Sequence, residues 1–271
     1  MYKNMKYYDK KNDRLVWEEQ KATSDFWDNK WKREDLRKIV ERDGRRDKLV
    51  RKITKKFLVP QRSVKILEGG CGLGHFVYSL DLAGYDAYGI DFAARTIAKL
   101  KEVFPDLNFL FGDVRKLEFA DEFFDGYWSL GVIEHFYDGY NEAAQEMKRV
   151  LKSGGYLFIT FPYLSLLRKI KIRLHRYPAF DEADFNKEKF YQFAFNDETI
   201  KKDFASRGFR LVLKKPLDAV FGLGGEISFG SSFLKKLYGD PNIIFKIMRK
   251  AINILTSWFC GHIVLLVFKK E

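Results

Sequence analysis

Between Val64 and His75 the chain reads VKILEGGCGLGH, and four glycines, Gly69, Gly70, Gly72 and Gly74, fall within six residues directly after a short apolar run. A buried strand that breaks into a glycine-rich turn and then a helix lets backbone approach a ligand closely and presents N–H groups to it. Such a stretch belongs to sheets whose strands alternate with helices.

From Val64 onward short apolar runs do alternate with amphipathic segments. VKILE, DAYGID, LNFLFGD, FFDGYWSLG, GYLFITFP, FRLVLKK and HIVLLVFKK read as seven strands. LGHFVYSLDLAG, FAARTIAKLKEVF and EHFYDGYNEAAQEMKRVL read as helices, the last stopped by KSGG. The pattern predicts a doubly wound α/β fold: a seven-stranded, mostly parallel, Rossmann-like sheet with helices on both faces. Ligands of such sheets bind at the carboxyl ends of the strands. With 271 residues and 46% hydrophobic content, one domain is expected. Residues 1–63 read as an N-terminal helical extension, with Trp17, Phe26, Trp27, Trp31, Leu36, Ile39 and Val40 at roughly helical spacing within 15–58. Residues 64–162 form the expected cofactor-binding core. Segments 163–195, after the fifth strand, and 216–259, between the sixth and seventh, read as insertions that cover the pocket and carry specificity.

The glycine turn lacks GxGxxG: counted from Gly70 the sixth position is His75, and from Gly72 it is Val77. Glu68 stands at the strand tip, where a carboxylate repels a pyrophosphate and attracts a cation. Asp91 ends the next strand, 17 residues beyond Gly74, a placement suited to a ribose diol. Asp113 ends the third, where its carboxylate can accept from an exocyclic amine such as that of adenine. A cation, a ribose and an adenine together describe S-adenosylmethionine. All three acids as helix caps is the weaker alternative.

On these residues the chain resembles the class I S-adenosylmethionine-dependent methyltransferases, particularly the small-molecule group. LEGGCGLG is similar to that family's first motif, with Glu68 for the commoner Asp and Gly69 for a commoner apolar residue. YGIDFAARTIAKLK is similar to the second motif, FLFGDVRKLEFADEFFDGYWSLGVIEHF to the adenine motif and fourth strand, and RVLKSGGYLFITFP to the fifth-strand motif. The likeness is close over about 64–162 and looser beyond, through NDETIKKDFASRGFRLVLKK. It implies a sheet whose last strand is antiparallel, and cofactor contacts at Glu68, Gly70, Cys71, Gly72, Gly74, Asp91, Phe92, Asp113, Val114 and Leu130, with the Cys71 backbone rather than its thiol mattering. The product would be S-adenosylhomocysteine.

Methyl transfer from a sulfonium is an in-line displacement, so a protein supplies alignment and, for an acidic acceptor, a base. His135, after the fourth strand, is the candidate base; the equal alternative is that Glu134 and His135 start a helix and shape the pocket. Tyr163 is a weaker candidate. Four scattered histidines, and two cysteines without CxxC spacing, give no case for a metal or a disulfide framework.

The acceptor is expected to be a small molecule, a sugar or lipid-linked metabolite, methylated at oxygen, nitrogen or carbon. Charge gives the alternative. Residues 1–63 hold 20 basic and 11 acidic side chains, 64–163 hold 9 and 15, and 164–271 hold 20 and 11. The basic flanks suit an anionic partner, so an RNA-modifying or RNA-binding protein on the same core is the second reading. Two basic amphipathic stripes point to membrane as well. Tyr163, Leu166, Leu167, Ile170 and Leu174 oppose Arg168, Lys169, Lys171, Arg173 and Arg176; Ile243, Ile244, Ile247, Met248, Ala251, Leu255 and Trp258 oppose Lys246, Arg249 and Lys250. The favoured expectation is that these stripes pack into the core. No leader-like N-terminal segment or spanning stretch is evident, so a cytoplasmic protein, with peripheral membrane contact as the second possibility, is expected.

Overall fold

A computed structural model describes residues 5–33, 35–227, 231–239 and 242–271. The ends of the expected extension and of the second insertion's helices at 1–4, 34, 228–230 and 240–241 lie outside the described residues. The chain divides into two compact units: Met1–Gln20, Thr160–Asp203 and Leu213–Leu266 form one, and Lys21–Ile159, Phe204–Val212 and Val267–Glu271 form the other.

The sheet runs as the alternation predicts. Its strands are β3 (Lys65–Gly69), β4 (Asp86–Asp91), β5 (Asn108–Phe111), β6 (Phe124–Leu130), β7 (Leu151–Pro162), β9 (Phe209–Leu217) and β10 (Ile263–Lys270), in the order β5-β4-β3-β6-β7-β10-β9. β3 pairs in parallel with both β4 and β6, and β4 with β5. The order therefore reverses at β3, between β4 and β6, where a doubly wound sheet opens a crevice beyond its strand ends. Between the strands lie α4 (His75–Leu82), α5 (Ala94–Val103) and α6 (Asn141–Val150), and Ile66, Leu67, Tyr127, Trp128, Phe158 and Ile159 are sealed inside. Trp128 stacks on Phe158, centroids 4.4 Å apart, and its indole donates to Thr54 at 3.0 Å.

The N-terminal extension is only partly helical. Helices α1 (Ser24–Trp31), α2 (Leu36–Arg46) and α3 (Leu49–Phe57) are present, but Leu15, Val16 and Trp17 lie in a strand. β1 (Met5–Asp9) and β2 (Arg14–Glu18) form a hairpin, and β2 also pairs antiparallel with β8 (Phe190–Phe195). The hairpin is set by Asp9, whose carboxylate accepts from Asn12 and Arg14 while Asp13 takes a positive φ. The aromatic run at 190–195, expected as part of a cover, is thus the third strand of a second sheet, built around Leu15, Trp17, Leu164 and Ala194.

Helices α7 (Leu166–Arg173), α8 (Asp197–Ser206), α9 (Ala219–Glu226), α10 (Ser231–Gly239) and α11 (Ile243–Cys260) complete the chain. The expectation that the stripes of α7 and α11 pack into the core is overturned. Leu166, Ile170 and Leu174 are exposed while Arg168 is buried; Ile243, Ile247, Leu255 and Trp258 are exposed while Ser257 and Cys260 are buried. A sequence shows that a helix has two faces, not which one finds a partner.

Candidate cofactor site

Every residue expected to hold the cofactor lies in one unit, at the carboxyl ends of β3, β4 and β6 or on the loops that follow β3, β4 and β5. The glycine turn is folded by its neighbours. Gly70 and Cys71 donate to the Ile90 carbonyl at 2.8 and 3.0 Å, and Gly72 donates to an Asp91 carboxylate oxygen at 2.8 Å. Gly72 is required twice: its φ is +49°, and a Cβ there would sit 3.1 Å from the Trp31 indole. Gly69, where the family more often has an apolar side chain, is explained by Tyr127, whose hydroxyl fills the place a Cβ would take. Cys71 is buried and free, with its sulfur against Gly89, in keeping with a packing role for the thiol.

Glu68 ends β3 fully buried, and one of its carboxylate oxygens, Oε2, has no hydrogen-bond partner among the described residues. Burial raises its pKa well above the ordinary carboxylate value, and the charge of Asp91 adds to the rise. Asp91 is also buried; burial raises its pKa against the N–H bonds it accepts from Ala93 and Gly72. Two buried carboxylates close enough to feel each other, one with a lone oxygen, form a place where a cation relieves both. Glu134 is a third buried acid, its Oε2 also unpartnered, with burial pushing its pKa up to about 8. It sits beside His135 in the 3₁₀ turn Ile133–His135, so the two open a turn rather than a regular helix.

The remaining candidates are spread over the same rim. Phe92 is exposed after β4, Val114 is buried after β5, and Leu130 ends β6 half-buried. Asp113 is held by Arg115, whose guanidinium donates to both oxygens at 2.6 to 3.1 Å. Burial alone would raise its pKa; the Arg115 bonds win and hold it below the usual range. An amine reaching Asp113 therefore shares it with Arg115. His135 is packed edge-on against Trp27, centroids 5.2 Å apart. Tyr163 lies in the other unit, where its hydroxyl donates to the Ser257 carbonyl at 3.4 Å.

Sequence reading placed α1 in the helical extension but missed its part in the site. This helix reaches three of the four loops: Trp31 meets Gly72, Ser24 donates to the Phe92 carbonyl at 2.9 Å, and Trp27 meets His135. Asp28, buried, fixes it in place by accepting from the Thr96 amide and hydroxyl, both at 2.8 Å, and from Arg95. It thereby caps α5, whose own N-cap residue, Ala93, has no side chain to do so. Trp27 and Trp31 stack at 5.4 Å with the Lys30 ammonium 4.5 Å from the Trp27 ring. The only signal was helical spacing of the aromatics; nothing local said that Trp31 faces a turn 41 residues on.

The residues fit S-adenosylmethionine. Its positive charge answers the unpartnered Glu68 oxygen, the free lone pairs of Asp91 suit a ribose, and exposed Phe92 offers a face for a base. Among the described residues no His, Cys, Asp and Glu cluster could hold a metal ion.

Residues 67–159 match the family model described as a methyltransferase domain. The chain is 31% identical over 100 residues, 35% of its length, to phthiotriol/phenolphthiotriol dimycocerosates methyltransferase 1 of Mycobacterium ulcerans. It is 29% identical over 96 residues, 35% of its length, to the malonyl-[acyl-carrier protein] O-methyltransferase of Erwinia pyrifoliae. In both cases the match spans 36% of the relative's own length. In fold, the chain is similar to the PH0226 protein of Pyrococcus horikoshii, with a TM-score of 0.54 at 18% identity over 89% of this chain and 93% of that one. With its strand order, its glycine turn and the acids at successive strand ends, the stretch matched over residues 67–159 is similar to the methyltransferase domain of the class I S-adenosylmethionine-dependent methyltransferases.

Proposed function

We propose that the protein transfers a methyl group from S-adenosylmethionine to a small, lipid-linked acceptor. The observation that carries the first half is the buried Glu68 carboxylate, with an oxygen that no described group satisfies, at the tip of a glycine turn tied to Asp91. Leaving such an oxygen unpaired costs about 1–3 kcal/mol, and a cationic ligand removes that cost. When bound, the cofactor supplies an electrophilic methyl group on a positively charged sulfur. The chain's own residues orient and enclose it: Glu68 holds the cationic end, Asp91 the ribose, and α1 covers the loops and excludes water. Where the acceptor carries a proton, His135 takes it, aligned by Trp27. The lipid-linked class is supported by the printed name of the Mycobacterium relative and by the apolar outer faces of α7 and α11.

Titration calorimetry with S-adenosylhomocysteine tests the reading. Binding is expected in the wild type, with Asp91→Ala weaker by tenfold or more, about 1.4 kcal/mol. Unchanged binding in Asp91→Ala removes the ribose assignment. No binding in the wild type removes the methyltransferase reading. Incubation of the protein with labelled methyl donor and either lipid extract or total RNA then separates the two acceptor classes; label in RNA favours the alternative raised by the basic flanks.

A further inference from the structure

Helix α11 is folded outside in. Around its 18 residues, Ile243, Ile247, Ile254, Leu255 and Trp258 share one arc with the alanine at 251, and all are turned to solvent. Four of them are 66, 62, 70 and 69% exposed, and Trp258 is 64% exposed. The opposite arc, against the protein, carries the polar residues. Asn253 accepts from the Val220 amide at 3.2 Å, Arg249 donates to the carbonyls of Leu237 and Tyr238, and Ser257 is buried. A water-facing helix normally arranges these faces the other way round. Helix α7, which packs against α11, repeats the inversion: Leu166, Ile170 and Leu174 point out, while Arg168 and Lys171 turn in to the buried Glu226. The inward charges are matched, so the apolar exposure is built in by specific bonds.

Charge says what covers the face. Neither helix contains an acidic residue, and Lys246 and Lys250 are exposed along one side of the α11 arc. A second copy meeting the same face in twofold fashion would bring equal positive charge and no acid to pair with it. An anionic lipid surface supplies both an apolar layer and negative headgroups. At 18 residues α11 is about 27 Å long, and no helix among the described residues is long and apolar enough to cross a membrane. We infer that the outer faces of α11 and α7 seat this protein in the headgroup region of an anionic membrane, α11 lying in the plane with its aliphatic arc down and its lysines at the phosphates.

This inference does not depend on methyl transfer. Co-sedimentation with phosphatidylcholine vesicles, with and without phosphatidylglycerol, tests it on the full chain. The wild type is expected to sediment with phosphatidylglycerol vesicles and far less without that lipid. The double variant Ile247→Gln with Ile254→Gln is expected to lose at least tenfold on both. Lys246→Glu with Lys250→Glu is expected to lose about tenfold on phosphatidylglycerol vesicles only. These positions are exposed, so melts followed by circular dichroism should match the wild type and act as the folding control. Absence of sedimentation, or sedimentation that survives the Gln pair, overturns the inference. So does a wild-type dimer in analytical ultracentrifugation that the Gln pair splits while vesicles stay unbound; the face is then a protein interface.

Discussion

At the scale of single residues, the chemistry of the site turns on the protonation of Glu68. Its raised pKa means that the free protein holds a proton there over a wider pH range than an exposed glutamate would. A cationic ligand favours the ionised form, so binding releases that proton, and affinity should climb as pH rises until the free-state pKa is passed. Calorimetry with S-adenosylmethionine, which carries the sulfonium charge, across the range from acid to neutral is expected to show this climb in the wild type and a flat, weaker response in Glu68→Gln. Equal slopes in both proteins would move the linked proton elsewhere, to Glu134 or Asp91. Such behaviour was partly legible beforehand: an acid at a strand tip ahead of glycines marks a cation site whatever surrounds it. That Gly72 answers to Trp31, or that Arg115 engages Asp113, was not, because neither partner is selected by local spacing.

Among elements, the most informative are the two helices that present their apolar sides to water. The inward side of α7 is held by Glu226, whose carboxylate meets Arg168 at 2.9 Å, Lys6 and Lys171 at 2.7 Å and Tyr177 at 2.5 Å. Burial would raise the Glu226 pKa, but the charges of Arg168 and Lys6 and the Lys171 bond carry it far below the usual range. Its stabilisation is therefore complete above the unfolded-state value near 4.5 and is lost as pH falls below that toward the folded value. Glu226→Gln leaves cations gathered without their counterion and should cost about 3–5 kcal/mol at neutral pH, read as a lower urea midpoint. Because the variant has no such carboxylate to protonate, its stability should fall less steeply than the wild type's below about pH 4. A variant within 1 kcal/mol of wild type would mean that the cluster contributes little. Periodicity located both α7 and α11 and misjudged their orientation; for α7 the carboxylate that draws the basic face inward stands more than 50 residues away. The hairpin at residues 5–18 was missed for a related reason: its third strand arrives from residues 190–195.

For the whole molecule, the seven strands and their helices were readable because each is set by a short repeating pattern, whereas the division into two units was not. Each unit is gathered from three separate stretches of chain, and the stretches alternate. The unit with the glycine turn includes Val267–Glu271, where the Lys270 ammonium reaches the Leu151 carbonyl at 2.6 Å and Val267 and Phe268 are fully buried. A chain stopped after Leu266 should therefore fail to bind S-adenosylhomocysteine although it retains every residue of the proposed pocket; retained binding would show that those strand residues are dispensable. The interleaving also bears on birth of the protein at the ribosome. Domains usually close one after another as the chain emerges, but here the unit with β3 and its turn waits for the tenth strand to leave the exit tunnel. Until then its apolar strands stand open, and the cell must shield nearly the full length of the nascent chain before either half can shut.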